Sequence, residues 1–242
     1  MRQWVVVAVV GLGLIATVRG QTAPVASGLE IKFVRDSAEY ATLARQTYRL
    51  AGDAVRRAAQ TIGRSPWAVV LDLDETVLDN SAYQLERAAY GLPFESASWA
   101  AWTERREAAA VPGVVEFVSI VRQSGGHLAW ISNRNTTVEI PTKANLQALG
   151  VWSDDDRLCL QRDSQHTKRM RRAEVIAGSG NCAWSTAMRV PVFVGDQMGD
   201  FPVPDENIPE TGTDAAFGRT CFLLPNPMYG DWTTRVTRSP VR

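Results

Sequence analysis

Apolar runs that alternate with helical patterns predict an α/β protein, a doubly wound parallel sheet carrying a small helical cap. Three observations carry that expectation. The run Ala68–Leu71 is unbroken and rich in β-branched residues, as a strand buried on both faces requires. Four more short apolar runs come after it, at Leu128–Ile131, Leu158–Leu160, Val190–Val194 and Cys221–Leu224, with helical patterns between most of them. Right-handed crossovers make such strands parallel. Finally, three of these runs stop at polar, chemically useful side chains, and the carboxyl edge of an open parallel sheet is where ligands bind.

The chain is 242 residues long, enough for one domain with a full core and a small accessory element. Its 26 basic and 26 acidic residues cancel, so no net field argues for a nucleic acid polymer or a membrane surface as partner. Arg2, the apolar stretch Trp4–Ala16 and the small residues of Val18-Arg19-Gly20 have the order of a secretory signal peptide. The apolar stretch is shorter than the ~20 residues a spanning helix needs. Residues 1–20 are therefore expected to be removed, giving an exported protein, periplasmic or secreted, with no stable membrane anchor. No cysteine stands directly after the apolar stretch, which argues against a lipid anchor.

Along the chain, Gln21–Ser27 is small and polar, a flexible lead-in. Asp36 or Ser37 caps a helix from Ala38 to about Thr61, in which Tyr40, Leu43, Ala44, Tyr48, Ala51 and Val55 recur at helical spacing. Residues 21–66 thus form a helical lead-in packed on a core of residues 67–232, with 233–242 as a tail. Ala82–Ala110, with Trp99 and Trp102 three apart, interrupts the strand-helix alternation and is expected as the cap, an insert at about 82–111. Pro112-Gly113 opens a helix over Val114–Gln123 that Gly125-Gly126 closes. Further helices are expected near Thr142–Leu149 and over Thr167–Ala177.

Cys159, Cys182 and Cys221 show neither zinc-ligand spacing nor a paired histidine. On strands at opposite edges of the sheet, Cys159 and Cys221 are too far apart to bond. Cys182 with one of the others, or three buried thiols, both remain open.

The chemistry gathers at the ends of the runs. Asp72 and Asp74 come after the first strand two apart, so they point to one side at the sheet edge. Two such carboxylates repel, and a proton or a cation must relieve them. Ser132 ends the second strand, Asp196 the fourth, and Asp200 lies four residues on in G-D-Q-M-G-D-F. Lys168 opens the preceding helix, inward, with the other basic residues of K-R-M-R-R turned to solvent. Converging carboxylates with room for water suit Mg²⁺, and a hydroxyl and a lysine beside a cation suit a phosphoryl group. His127 and His166 are isolated and receive no role, and Arg134 is read as structural rather than catalytic.

The order D-x-D-x-T, strand-Ser, Lys, G-D-x-x-x-D resembles the haloacid dehalogenase superfamily of phosphohydrolases, with its Rossmannoid core. The closer likeness is to the bacterial class C acid phosphatases, the group that includes surface lipoprotein 5′-nucleotidases. It rests on S-A-E-Y at Ser37–Tyr40, L-D-L-D-E-T-V-L-D-N-S at Leu71–Ser81, V-P-G-V-V-E-F at Val111–Phe117 and I-S-N-R at Ile131–Arg134. Gly195-Asp196 with Asp200-Phe201, and L-P-N-P-M-Y-G-D-W at Leu224–Trp232, complete it.

That resemblance implies an aspartyl-phosphate mechanism. Asp72 is the nucleophile and Asp74 the general acid, then base. Mg²⁺ is held by the Asp72 side chain, the Asp74 backbone carbonyl and Asp196. Ser132 and Lys168 bind the phosphoryl group, Asp200 binds a metal-bound water or holds Lys168, and Thr76 bonds locally to shape the turn. Trp99 and Tyr229 stack on a nucleobase, whereas Trp102 packs the cap. The expected activity is hydrolysis of phosphomonoesters, nucleoside 5′-monophosphates first among them, with acid preference because Asp74 needs its proton for the first step. Phosphotransfer to an alcohol and a catalytically silent binding or storage relative are the alternatives. A homodimer is left open.

Overall fold

In a computed structural model the described residues are 28–234, so the leader segment and most of the tail lie outside them. The described residues begin with α1 (Gly28–Asp36), a helix that the sequence pattern does not announce, and continue directly into α2 (Ala38–Ile62). Of the two candidate caps it is Ser37 that serves, its Oγ accepting from the Tyr40 amide at 3.0 Å. α2 buries Tyr40, Ala44, Tyr48, Ala51 and Val55, the apolar face expected of it, but Leu43 is exposed.

β1 (Trp67–Leu71) is buried at every position. A short strand, β2 (Leu78–Asp79), then leads into the cap helices α3 (Ser81–Ala89) and α4 (Ser96–Arg105), and β3 (Ala109–Ala110) returns to pair antiparallel with β2. This two-stranded ribbon closes the base of the cap. The chain then alternates as expected through α5 (Val114–Gln123), β4 (His127–Asn135), α6 (Glu139–Ala148), β5 (Arg157–Gln161), α7 (Lys168–Ala177), β6 (Arg189–Gly195) and β7 (Cys221–Leu223).

The main sheet has the order β5-β4-β1-β6-β7 and every pairing in it is parallel. β1 is central, and the strand order reverses beside it, which opens a crevice at its carboxyl end. In register, Leu71 meets Trp130 of β4 on one side and Val194 of β6 on the other. Asp72, Ser132 and Asp196 each lie within two residues of these register partners, and they are thereby delivered to the same edge.

Two apolar layers enclose the sheet. One joins α2 and α5 to it through Tyr48, Val55, Phe117 and Val121, the other gathers Val70, Ile131, Val175, Phe193 and Phe201. Cys159, Cys182 and Cys221 are buried free thiols, with Cys159 and Cys221 on the two edge strands as expected; burial pushes the Cys159 and Cys221 thiols up.

The expectation that the basic residues after Lys168 all face solvent is corrected. Arg169 is exposed and pairs with Asp205, but Arg171 and Arg172 are buried. Arg171 donates to the carbonyls of Ser132 and Cys159 and, at 2.6 Å, to Asn133 Oδ1, so it ties the ends of β4 and β5 to α7. Arg172 pairs with Glu206 at 2.5 Å and donates to the carbonyls of Gly199 and Asp200. Buried carbonyls need donors, and a guanidinium supplies several in one plane.

Candidate active site

The crevice at the end of β1 is a cleft of about 760 Å³ lined by Asp72, Asp74, Asn133, Arg134, Lys168 and Tyr229, with Trp99 of the cap across from them. Another hollow, about 840 Å³, lies where β6 begins and holds none of these acids. The chemistry-bearing residues therefore single out the former.

Asp72 is buried and its amide donates to Val194 O at 3.0 Å, which fixes it between β1 and β6. Its carboxylate accepts from Lys168 Nζ, the first side chain of α7. Lys168 also reaches Asp200 Oδ1, so the lysine bridges the two acids. Asp200 Oδ2 in turn accepts from the amides of Asp196 and Gln197 at 3.0 and 2.9 Å. That fold-back requires a residue without Cβ at 195, because a Cβ on Gly195 would lie 2.3 Å from Asp200 Cβ. Asp196 accepts from Asn226 Nδ2 at 2.8 Å and from Thr76 Oγ1 at 3.2 Å. The local role expected for Thr76 is thus extended, since its hydroxyl crosses to the next strand. Its carbonyl accepts from the Tyr48 hydroxyl of α2.

Oxygens of Asp72, Asp196 and Asp200 all lie within 4.8 Å of one another, and all three residues are buried. Burial, reinforced by the neighbouring acids, pushes Asp72 well above the usual carboxylate range and Asp196 up to about 6, even with Lys168 opposing both shifts. A buried cluster of hard oxygen donors that one lysine does not neutralise fits a divalent cation.

Asp74 has different company. It lines the same cleft, yet its carboxylate is turned to Arg134, whose Nε and Nη2 grip it at 3.0 and 2.7 Å. Ser132 Oγ donates to it at 3.2 Å and Asn80 Nδ2 at 2.9 Å. The turn between Asp74 and Leu78 places Glu75 at φ 58° in the left-handed region, buried, with its Oε1 accepting from the Asn80 amide at 3.0 Å.

From the cap, Trp102 is buried and its indole N–H donates to Asn80 Oδ1 at 2.9 Å, consistent with the packing role expected of it. Trp99 meets Tyr83 edge-on at 5.0 Å and lines the cleft, as does Tyr229 on the loop after β7. Asn226 anchors that loop by accepting from the amides of Met228 and Tyr229.

The structure thus brings Asp72, Asp74, Ser132, Lys168, Trp99, Tyr229, Asp196, Asp200 and Thr76 to one sheet edge and its cap. Sequence reasoning misses Asn80 and Asn226, which hold Asp74 and Asp196, and it sets Arg134 aside. All three stand inside the motifs D-N-S, L-P-N-P and I-S-N-R, but nothing in a motif says which acid an amide or guanidinium will face. His166 is buried against Glu174 and His127 packs on Trp184, away from the cleft.

Residues 17–232 match the family model described as HAD superfamily, subfamily IIIB (Acid phosphatase). The class C acid phosphatase from Bacillus anthracis is similar at 30% identity over 87% of this chain and 90% of that one, with a TM-score of 0.71. A structure of the class C acid phosphatase from the same organism with tungstate bound gives 28% identity, 88% and 90% coverage and a TM-score of 0.70. With the acids converging at the end of β1 and the family model spanning nearly all of it, the chain belongs to the subfamily IIIB acid phosphatases of the HAD superfamily, and it is a phosphomonoester hydrolase.

Proposed function

We propose that this phosphatase is an exported, Mg²⁺-dependent enzyme that hydrolyses nucleoside 5′-monophosphates through a phosphorylated Asp72. The observation that carries the reading is the unequal pairing of the two aspartates: Asp72 faces Lys168 and the acid cluster, Asp74 faces donors from β4 and from Asn80 at the start of the cap. Asp72 Oδ attacks phosphorus in line and the P–O bond to the leaving group breaks as Asp74 protonates that oxygen. Ser132, whose hydroxyl donates to Asp74 in the free enzyme, rotates from that carboxylate to a phosphate oxygen, while Lys168 stabilises charge on the transferring group. Asp74 then takes a proton from the water that cleaves the acyl phosphate and frees Asp72.

Asp72, Asp196 and the Asp74 carbonyl, with Asp200 beside them, would hold the metal. When bound it keeps Asp72 ionised and neutralises phosphate charge that would repel the nucleophile. The hard, all-oxygen donor set favours Mg²⁺ over softer ions. Trp99 and Tyr229 in the cleft support an aromatic leaving group, and the tungstate complex of the relative supports an oxyanion site. Export rests on the leader at Met1–Gly20, which lies outside the described residues.

Release of inorganic phosphate from mononucleotides, sugar phosphates and aryl phosphates, each with chelator and with Mg²⁺ restored, tests the reading. Mononucleotides are expected to give the highest kcat/KM and chelation to abolish turnover. Equal rates across the panel would remove the nucleotide preference, and full activity in chelator would remove the metal.

A further inference from the structure

The geometry points to Arg134 as the residue that positions Asp74 for proton transfer, so that the proton donor is aimed from the neighbouring strand β4 rather than by its own strand. The inference rests on the proton-donor role proposed for Asp74 and adds the group through which that role is set.

The Arg134 side chain is 1% exposed, whereas the Asp74 side chain it grips is 19% exposed and lines the cleft. Its guanidinium lies along the carboxylate, Nε reaching both oxygens at 3.0 and 3.2 Å and Nη2 reaching Oδ1 at 2.7 Å. A fork of this kind fixes the plane of a carboxylate as well as its place. The fork is itself held from outside β1 and β4. Nη1 donates to Thr142 Oγ1 of α6 at 3.1 Å, and Nη2 donates to Asn80 Oδ1 at 3.3 Å. That same Asn80 oxygen accepts from Trp102 of α4, which leaves the Asn80 amide nitrogen turned to Asp74. The Trp99 ring centroid is 5.4 Å from the guanidinium carbon, so the cap aromatic that lines the cleft rests on the arginine.

Arg134 is not free to bind the phosphoryl group itself. It borders the cleft, but its Nε and Nη2 hydrogens are directed at Asp74 and Asn80 and Nη1 donates to Thr142. It acts through Asp74. An arginine serving only the fold would matter equally for every substrate, but one that aims a proton donor matters in proportion to the leaving group's need for a proton.

The test compares phenyl phosphates of graded leaving-group acidity, from dinitrophenyl to unsubstituted phenyl, with a nucleoside monophosphate. The enzymes are wild type, Asp74→Asn, Arg134→Lys and Arg134→Ala. Arg134→Lys keeps the charge and much of the volume but cannot fork, and guards against misfolding of the alanine variant. In both Arg134 variants kcat on phenyl phosphate and the nucleotide is expected to fall about 10- to 100-fold, part of the range general acid catalysis supplies. With dinitrophenyl phosphate, which leaves unassisted, the fall stays within about threefold and KM changes little. Guanidinium ion added to Arg134→Ala restores part of the loss on phenyl phosphate. Equal losses along the series, or none, would overturn the inference while leaving a steep Asp74→Asn series intact. A flat Asp74→Asn series would instead remove the proton-donor role and the inference with it.

Discussion

Asp72 and Asp74 stand two residues apart in one motif and occupy opposite electrostatic settings. Asp72 is buried among Asp196, Asp200 and Lys168, where the lysine is the cation that relieves its charge. Asp74 is more open and receives donors, from Arg134, Asn80 and Ser132. On the proposed mechanism, this contrast is how one residue type would be given two tasks. The β1–β6 side of the cleft concentrates negative charge that suits a metal, and the β4 side, with Asn80 of the cap, surrounds a carboxylate with oriented donors that fix its direction. Separate environments for paired carboxylates are what divide acid from nucleophile.

Breaking each side should have distinct consequences. The largest loss is expected at the nucleophile: Asp72→Asn removes the attacking oxygen and should lower kcat by at least about 10⁴-fold on every substrate, dinitrophenyl phosphate included. Single-turnover assays of phosphate release check this, and comparable turnover in the variant would remove the aspartyl-phosphate.

The acid cluster predicts a dependence of stability on pH. Asp196 is pushed up to about 6, chiefly by burial and then by Asp200, against an unfolded value of 3.8. Between those values the folded protein holds a proton the unfolded chain has lost, so stability falls as pH rises through this window, and Asp72, which burial also raises well above its ordinary value, adds to the fall. Lys168 is raised from an already high value and stays charged throughout, so it adds no slope there. For metal-free protein the Asp196 share of the fall amounts to on the order of 3 kcal/mol. Saturating Mg²⁺ should flatten the slope and raise Tm near neutrality by roughly 5–10 °C. Thermal melts from pH 4 to 7, with chelator and with Mg²⁺, measure both; a metal-free Tm that climbs over this range would contradict the assignment.

The smallest effect sharpens the cap side. Trp99→Ala or Tyr229→Ala should raise KM for mononucleotides by roughly 5- to 100-fold, as loss of one stacking face does, and leave KM for sugar phosphates nearly unchanged. Parallel shifts on both substrate classes would make these rings packing residues instead.

The motif residues are legible in the sequence because the strand ends impose the spacing. Asp72 and Asp74 come after a run that has to be a buried strand, and Ser132 and Asp196 end two more. Once the strands are parallel and β1 is central, these residues meet, whatever the loops do. Lys168 is legible as the first residue of a helix with a Thr167 cap, whose Oγ accepts from Met170 N. Arg171 and Arg172 are not. A basic run reads as a solvated face unless one knows which carbonyls and which carboxylate end beneath it, and those come from β4, β5 and the loop at Glu206. α1 escapes notice because the stretch Gly28–Asp36 is short and its buried residues, Ile31 and Val34, gain their partners from Tyr40 and, far along the chain, Met228.

The alternation of strands and helices, and the acids at the strand ends, are set by the chain alone, because periodicity and strand termination are local properties. Which acid faces which partner is settled only once the elements pack together. That choice depends on Arg134, Asn80 and Asn226 arriving from different elements, and hydrogen-bond direction comes from packing, not from spacing along the chain.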